Sequence, residues 1–272
     1  MSQARKIILK ARKNIFSEKI GNNPSIFKGE GYDFVELREY QIGDDIRKID
    51  WNITAKANKP FVKIFQEERE LNIVAVSILN SSVYFGSQKM KQDIIAEIVS
   101  LIGFSAVKNM DSFSSYIFGD SQVQFHKPTK KSFGVEKVVE SILEFDSVNK
   151  KVEPQFIIDT LIKKVKKRSL IFVISDFYTP LDFKYLGKHS EVISIIVRDK
   201  LEENPETLGE LSLVDSENGN VLEGNFSNSQ NYQKNLEAHD KIILQNMKKN
   251  NVQTFKLYTD SNIFKEFRQF FG

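Results

Sequence analysis

Three stretches are apolar almost without a break: Leu71 to Leu79 (LNIVAVSIL), Ser169 to Ile174 (SLIFVI) and Glu191 to Val197 (EVISIIV). Short and rich in β-branched residues, they predict strands covered on both faces, as in a parallel sheet. Strands are also expected at Phe113 to Phe118, Val123 to Phe125, Glu210 to Val214 and Val252 to Leu257. The spacing turns helical at about Gln88 to Val107, Val135 to Leu143, Ile157 to Val165 and Tyr232 to Lys249, with a short helix after Pro180. Such alternation predicts a doubly wound α/β sheet, and no internal repeat is visible. Ahead of it, Phe61 to Phe65 (FVKIF) reads as a strand followed by a polar EERE turn. Ser17 to Asp33 is rich in Gly, Asn and Pro, which predicts a long loop behind a short basic opening helix.

Composition narrows the classes. The 272 residues are 40% hydrophobic and 28% charged, which fits one large domain with an extension, or two unequal units, and argues against disorder or a coiled coil. With 39 Lys+Arg against 36 Asp+Glu the formal net charge is +3, too small an excess to bind phosphate backbones by bulk field. The absence of cysteine removes disulfides, thiolate nucleophiles and zinc knuckles. In the opening MSQARKIILKARKNIF the longest apolar run is Ile7 to Leu9, too short for a signal-peptide core. The stretch Ile94 to Val107 is interrupted by Glu97, Ser100 and Ser105 and falls short of the roughly 20 residues that span a bilayer. We therefore expect a cytoplasmic protein with no transmembrane segment, its opening helix solvated or docked rather than lying on a membrane.

In open α/β sheets ligands sit at the carboxyl ends of strands. The residues following the expected strands are Asn80 to Ser87, Ser175-Asp176-Phe177 and His126-Lys127-Pro128-Thr129, three oxygen-bearing segments expected at one edge. They suit a hard cation such as Mg²⁺, and equally suit turns and helix N-caps. A catalytic reading finds little. His126, His189 and His239 stand without His-x-x-x-His spacing, and no G-x-S-x-G elbow or P-loop is present. Gly29-x-Gly31 lacks the third glycine of a dinucleotide fingerprint. Among Asp44, Asp45 and Asp50 the basic groups Arg38, Arg47 and Lys48 lie close enough to neutralise the carboxylates, so a salt-bridged cap is expected, with Asp44 or Asp45 capping a short helix over Trp51. The basic run Lys163 to Arg168 (KKVKKR) reads as the solvated end of a helix, and Ile263, Phe264, Phe267, Phe270 and Phe271 as the core-docking face of another.

The stretch Gly29 to Glu70 carries Gly29-x-Gly31 with Phe34, Leu37-Arg38-x-Tyr40, Gly43-Asp44-Asp45-x-Arg47-x-Ile49-Asp50-Trp51, Thr54-Ala55, Pro60-x-Val62-Lys63 and Glu68-Arg69-Glu70. It closely resembles the signature of family 58 of the domains of unknown function, whose members carry a von Willebrand factor A-like domain. The resemblance continues through Phe85-Gly86-Ser87, Ser175-Asp176-Phe177 and Glu202-Glu203-Asn204-Pro205 ahead of a strand ending in Val214-Asp215. It implies a family-specific N-terminal extension over residues 1–70 and a von Willebrand factor A-like domain over residues 71–272, doubly wound with a mostly parallel sheet. It also implies association with a MoxR-type AAA+ ATPase in systems that remodel or mature other protein complexes.

Domains of that type that bind Mg²⁺ carry Asp-x-Ser-x-Ser after the first strand. The aligned positions here are Ile78, Asn80 and Ser82, with Thr129 standing for the loop threonine and Asp176 for the later aspartate. An aliphatic side chain replaces the first carboxylate, so the metal-ion-dependent adhesion site is degenerate and the isolated protein is expected to hold no metal. The leading expectation is thus a non-enzymatic adaptor or substrate-presenting module for a MoxR-type ATPase and an unidentified protein client, needing no cofactor. Its signature residues Arg38, Tyr40, Gly43, Asp44, Asp45, Arg47, Asp50 and Trp51 would serve as an internal clasp with a contact rim. Two other readings stand beside it. One is a divalent-metal-dependent ligand-binding domain, holding Mg²⁺ weakly through residual Ser82, Thr129 and Asp176. The other is a basic peripheral protein on nucleic acid or anionic membrane.

Overall fold

The computed structural model describes residues 2–16, 36–44, 46–57, 59–64, 70–205, 210–214, 221–225 and 230–271. The expected loop over residues 17–33, including Gly29 and Gly31, lies outside them, as do Asp45, Phe65 and most of the EERE turn. The chain divides into two compact units, Met1–Phe27 with Leu71–Gly272, and Lys28–Glu70.

The larger unit is a mixed α/β layer structure. Its six-stranded sheet is built from β3 (Asn72–Ile78), β4 (Ser112–Gly119), β5 (Gln122–Thr129), β6 (Leu170–Ser175), β7 (Glu191–Arg198) and β10 (Gln253–Tyr258), in the order β10-β7-β6-β3-β4-β5. All neighbours run parallel except β4 and β5. The three near-continuous apolar runs are its central strands β3, β6 and β7, whose residues are buried on both faces. The strand order reverses between β3 and β6, so the carboxyl ends of those two strands form the crevice where ligands gather in sheets of this kind.

One face packs under α3 (Lys91–Lys108), α4 (Ser132–Leu143) and α9 (Ile263–Phe271), with Ile73, Phe113, Phe172 and Ile195 among the side chains beneath. The other face takes α5 (Pro154–Lys164), α6 (Leu186–His189) and α8 (Gln230–Lys249) over Val74, Val76, Val173 and Ile196. In α9, Ile263 and Phe267 are fully buried, and Phe270 stacks on Phe255 at 4.3 Å. Lys163 to Arg168 is exposed at the end of α5, where cations suit the negative end of the helix dipole. A separate antiparallel pair, β8 (Glu210–Val214) with β9 (Val221–Asn225), precedes α8. Among the described residues no helix is long and apolar enough to cross a membrane.

α3 is buried nearly all round because a second helix layer covers its outer side. That layer is α1 (Gln3–Phe16), whose Ile7, Ile8, Ala11 and Ile15 join the core of α3 and α4. The opening helix, grouped with the N-terminal extension on sequence, therefore packs with the α/β unit. The buried Glu97 carboxylate of α3 pairs with both Lys10 of α1 and Lys89, which closes the seam electrostatically.

The smaller unit pairs β1 (Glu36–Glu39) antiparallel with β2 (Phe61–Ile64), bridged by a 3-10 turn at Ile46–Lys48 and the short helix α2 (Trp51–Ala57). Val62 is its buried centre, with Ile49 bridging to it.

Replacing Ala11 with Asp places an unpaired carboxylate against α3 and should cost at least about 2 kcal/mol in urea unfolding. Amide exchange should accelerate over residues 3–16 specifically, and unchanged exchange there would contradict the docking of α1.

Candidate functional site

The crevice between the ends of β3 and β6 is filled by charge. Asp176, directly after β6, is fully buried, and its Oδ2 accepts from Nζ of Lys91, also fully buried, at 3.1 Å. The same Nζ donates to Oε1 of Glu202 at 2.6 Å, and the Glu202 side chain is only 15% exposed. The Ser82 hydroxyl lies near enough to the Asp176 carboxylate to favour its charged form. Above the ammonium lies the Tyr178 ring, its centroid 5.2 Å from Nζ, and on the same ring the Arg198 guanidinium stacks at 3.8 Å. One lysine from the start of α3 thus joins the end of β6 to α7 (Lys200–Glu203), the short helix after β7.

Local structure holds each group in place. Phe177, buried, takes φ +52, a left-handed backbone that costs a non-glycine residue roughly 1 kcal/mol or more and turns the chain sharply after Asp176. Asp199 caps α7 by accepting from the Leu201 amide at 2.9 Å, while Glu202 Oε2 accepts from the Asp199 amide at 3.2 Å, a capping box. Glu202 therefore serves the helix with one oxygen and Lys91 with the other. Asp199 Oδ2 also accepts from the Ser87 amide and hydroxyl, both at 2.8 Å, and from the Thr259 hydroxyl. Gly86 makes that approach possible: a Cβ there would lie 1.8 Å from the Lys89 carbonyl oxygen. A second chain of pairs runs outward from Arg198 to Asp240 at 2.8 Å, from Asp240 to Lys256 at 3.0 Å, and from Lys256 to Glu203 at 2.8 Å.

The two carboxylates on Lys91 titrate differently. Burial pushes Asp176 up, but Lys91, the Ser82 hydroxyl and Arg198 outweigh it and hold the group below the ordinary aspartate range. Burial dominates at Glu202 and raises it, with Lys91 pulling back only in part.

The five cation-site positions read from the sequence do not converge. Ile78 is buried in the apolar core, and the Asn80 side-chain oxygen is occupied by the Val152 amide at 3.1 Å. Ser82 and Asp176 do meet. Thr129 does not join them, because His126 to Thr129 continue β5 rather than forming a loop, and β5 runs antiparallel. Thr129 pairs with Phe113 at the start of β4, the opposite end of the sheet. The donor set left for a cation is Ser82, Asp176 and Glu202, already engaged by Lys91, so the residues present do not fit a bound divalent metal. Among the described residues no group of three or more His, Asp or Glu is placed to hold one. Two histidines are apart from this centre, His126 on β5 and His189 stacked on Tyr185 at 4.3 Å, whereas His239 borders it, with Nε2 3.0 Å from the Tyr178 carbonyl oxygen and Nδ1 3.5 Å from Asp240 Oδ1.

In the smaller unit the signature residues build their own turn. Arg38 Nη2 donates to Asp44 Oδ1 at 2.8 Å, while Asp44 Oδ2 accepts from the Gln41 amide at 2.8 Å. The Gln41 amide first, then Arg38, lowers the Asp44 carboxyl. Gly43 sits at φ +111, open to glycine and strained for other residues. The Tyr40 amide donates to the Pro60 carbonyl at 2.8 Å. The expected cap proves to be Asp50, whose Oδ1 accepts from the Asn52 and Ile53 amides at the start of α2. Asp44 is taken up by the turn instead. Trp51, expected beneath the cap, opens α2 and is 69% exposed, and Ile42, Ile46 and Arg47 are exposed as well.

Comparison with known proteins identifies the family. A family model described as "Protein of unknown function DUF58" matches residues 36–241. The chain belongs to that family. The DUF58 match covers β1 through most of α8, and so includes both the signature turn and the Lys91 centre. Uncharacterized proteins of Mycobacterium tuberculosis and Mycobacterium bovis are 25% identical over 210 residues, 75% of this chain and 66% of each relative. The chain thus spans just under two thirds of those relatives' length. Among solved structures, proximal thread matrix protein 1 from the mussel byssus aligns with a TM-score of 0.38 at 15% identity, over 74% of this chain and 46% of that one. An uncharacterized membrane-spanning protein from Vibrio fischeri aligns with a TM-score of 0.26 at 13% identity, over 74% and 96%.

Lys91, Glu202, Arg198, Asp199 and Tyr178 escaped the sequence reading as a group, since they come from three separated segments. One signal was present: Lys91 is a cation at a helix N-terminus, against the dipole rule.

Two outcomes follow. Gly86→Ala should cost about 1–3 kcal/mol in urea unfolding by forcing open the turn that delivers Ser87 to Asp199, and wild-type stability would contradict that close approach. Since folded Glu202 holds its proton more tightly than the unfolded chain, its contribution falls as pH rises above about 4.3. Asp176 has the opposite sign, its contribution present above the ordinary aspartate value and lost as pH falls through the lowered one. Glu202→Gln should therefore remove a downward slope in stability just above pH 4.3, measured by denaturation at a series of pH values, and an unchanged slope would contradict the raised carboxyl.

Proposed function

We propose that this DUF58 chain is a non-enzymatic protein-interaction module of the cytoplasm. Its α/β unit is read as von Willebrand factor A-like, and it acts as adaptor or substrate-presenting partner of a MoxR-type AAA+ ATPase that matures another protein complex. The observation that carries the interaction reading is the division of labour within the signature. Its polar residues Arg38, Asp44 and Asp50 bond within the smaller unit, whereas Trp51, Ile42 and Ile46 are left exposed. Tryptophan is among the residues enriched where binding energy concentrates at protein interfaces. The ATPase as partner rests on the signature's resemblance alone.

The rim of the larger unit's crevice is consistent with this. Tyr84, Phe85 and Met90 are exposed beside a centre whose charges are mutually paired, which suits contact better than chemistry. No comparable observation favours nucleic acid or an anionic membrane.

The test is co-purification of a tagged chain from its native cells with ATP present. Trp51→Ala and Ile42→Ala should melt within about 0.5 kcal/mol of wild type yet lose a co-purifying AAA+ ATPase. Asp50→Ala should cost about 1 kcal/mol of stability through the lost cap. Retention of the ATPase by both surface variants, or recovery of no AAA+ ATPase with wild type, would overturn the proposal.

A further inference from the structure

The crevice at the switch point has the make-up of a cation site: two carboxylates and a serine hydroxyl brought together from β6, α7 and the turn after β3. We propose that Lys91 is the resident cation of this site, its ammonium occupying the space between Asp176 and Glu202 and making the crevice independent of divalent metal. The inference stands apart from the partner reading above, since it concerns only what the crevice holds.

Three observations support it. The ammonium is saturated: Asp176 and Glu202 take two of its directions, and the Tyr178 face lies 5.2 Å away on another. No open position remains through which a bound cation would receive a ligand from a partner. The lysine stands where its own helix disfavours it, since the first turn of α3 presents the positive end of the dipole. A full-length lysine with no exposure, at a position that repels cations, persists because two carboxylates require it. The neighbours also fit one charge better than two. Arg198 already lowers Asp176 electrostatically, Asn80 spends its oxygen on the Val152 amide, and Ile78 offers none. Mg²⁺ demands near-octahedral oxygen ligation and yields its waters reluctantly, so it cannot displace a covalently tethered ammonium from so sparse a set.

The corollary is that removing the lysine should uncover a metal site. In Lys91→Ala the two carboxylates remain with a space between them, whereas in Lys91→Met the charge is lost but the volume stays filled. The experiment is thermal unfolding of wild type and these variants with and without millimolar Mn²⁺, alongside Mn²⁺ titration followed by electron paramagnetic resonance. Wild type should show no site-bound Mn²⁺ and no shift. Lys91→Ala should be destabilised and then regain about 3 to 6 °C with Mn²⁺. Lys91→Met, and Lys91→Ala combined with Asp176→Asn, should show no regain. If Lys91→Ala does not fold unaided, its recovery on refolding should depend on Mn²⁺ and be abolished by Asp176→Asn. Stabilisation of wild type by Mn²⁺, or a Lys91→Ala protein indifferent to Mn²⁺ in both melting and refolding, would overturn the proposal.

Discussion

A single buried ammonium organises the crevice at the carboxyl ends of β3 and β6 in the larger unit. Taking Lys91, Asp176 and Glu202 out of water together is costly, and only their mutual contacts offset it. That constraint explains the surrounding detail. Phe177 accepts a left-handed backbone so that Asp176 can face α3, and Glu202 divides its oxygens between a helix cap and the lysine. The Ser87 turn is drawn against Asp199 at a point where only glycine precedes it without collision. Removing any one partner strands the others, so the centre should behave cooperatively rather than as separable pairs.

The same logic explains why carboxylates gather in the crevice around a lysine. At a topological switch point the sheet leaves a gap that must be filled by side chains, solvent or a ligand. Here a tethered cation fills it, the aromatic face of Tyr178 lies against both cations, and apolar side chains remain at the rim. The signature turn of the smaller unit shows a parallel arrangement, with polar groups satisfied internally and apolar ones left outward. Both units thus carry exposed aromatic and aliphatic side chains on frameworks whose charged groups are largely paired within each unit, the arrangement on which the proposed contact role rests.

Much of this was legible in the chain. Continuous apolar runs announced β3, β6 and β7, and the amphipathic spacings announced α4, α5, α8 and α9, because burial on one or both faces imposes those periods directly. Strand direction is a different matter. β5 alternates weakly at an exposed edge, so Val123 to Phe125 looked like a short strand and His126 to Thr129 like its loop. Pairing antiparallel to β4 carries Thr129 to the far end of the sheet. The Lys91 centre was hidden for another reason. Its members are spread from residue 82 to residue 202, and Lys91 sits in the polar-looking stretch SQKMKQD, where a lysine reads as solvated. Within the signature, spacing set Arg38, Arg47 and Lys48 against Asp44, Asp45 and Asp50 without choosing partners; Arg38 meets Asp44, and the cap fell to Asp50 because its carboxylate stands directly before α2.

The most direct measurement is a crystal structure grown or soaked in Mn²⁺, with anomalous scattering collected at the metal edge. The account predicts the Lys91 ammonium between Asp176 and Glu202 and no anomalous peak in the crevice. A Mn²⁺ peak bonded to Asp176, with Lys91 turned outward, would contradict it.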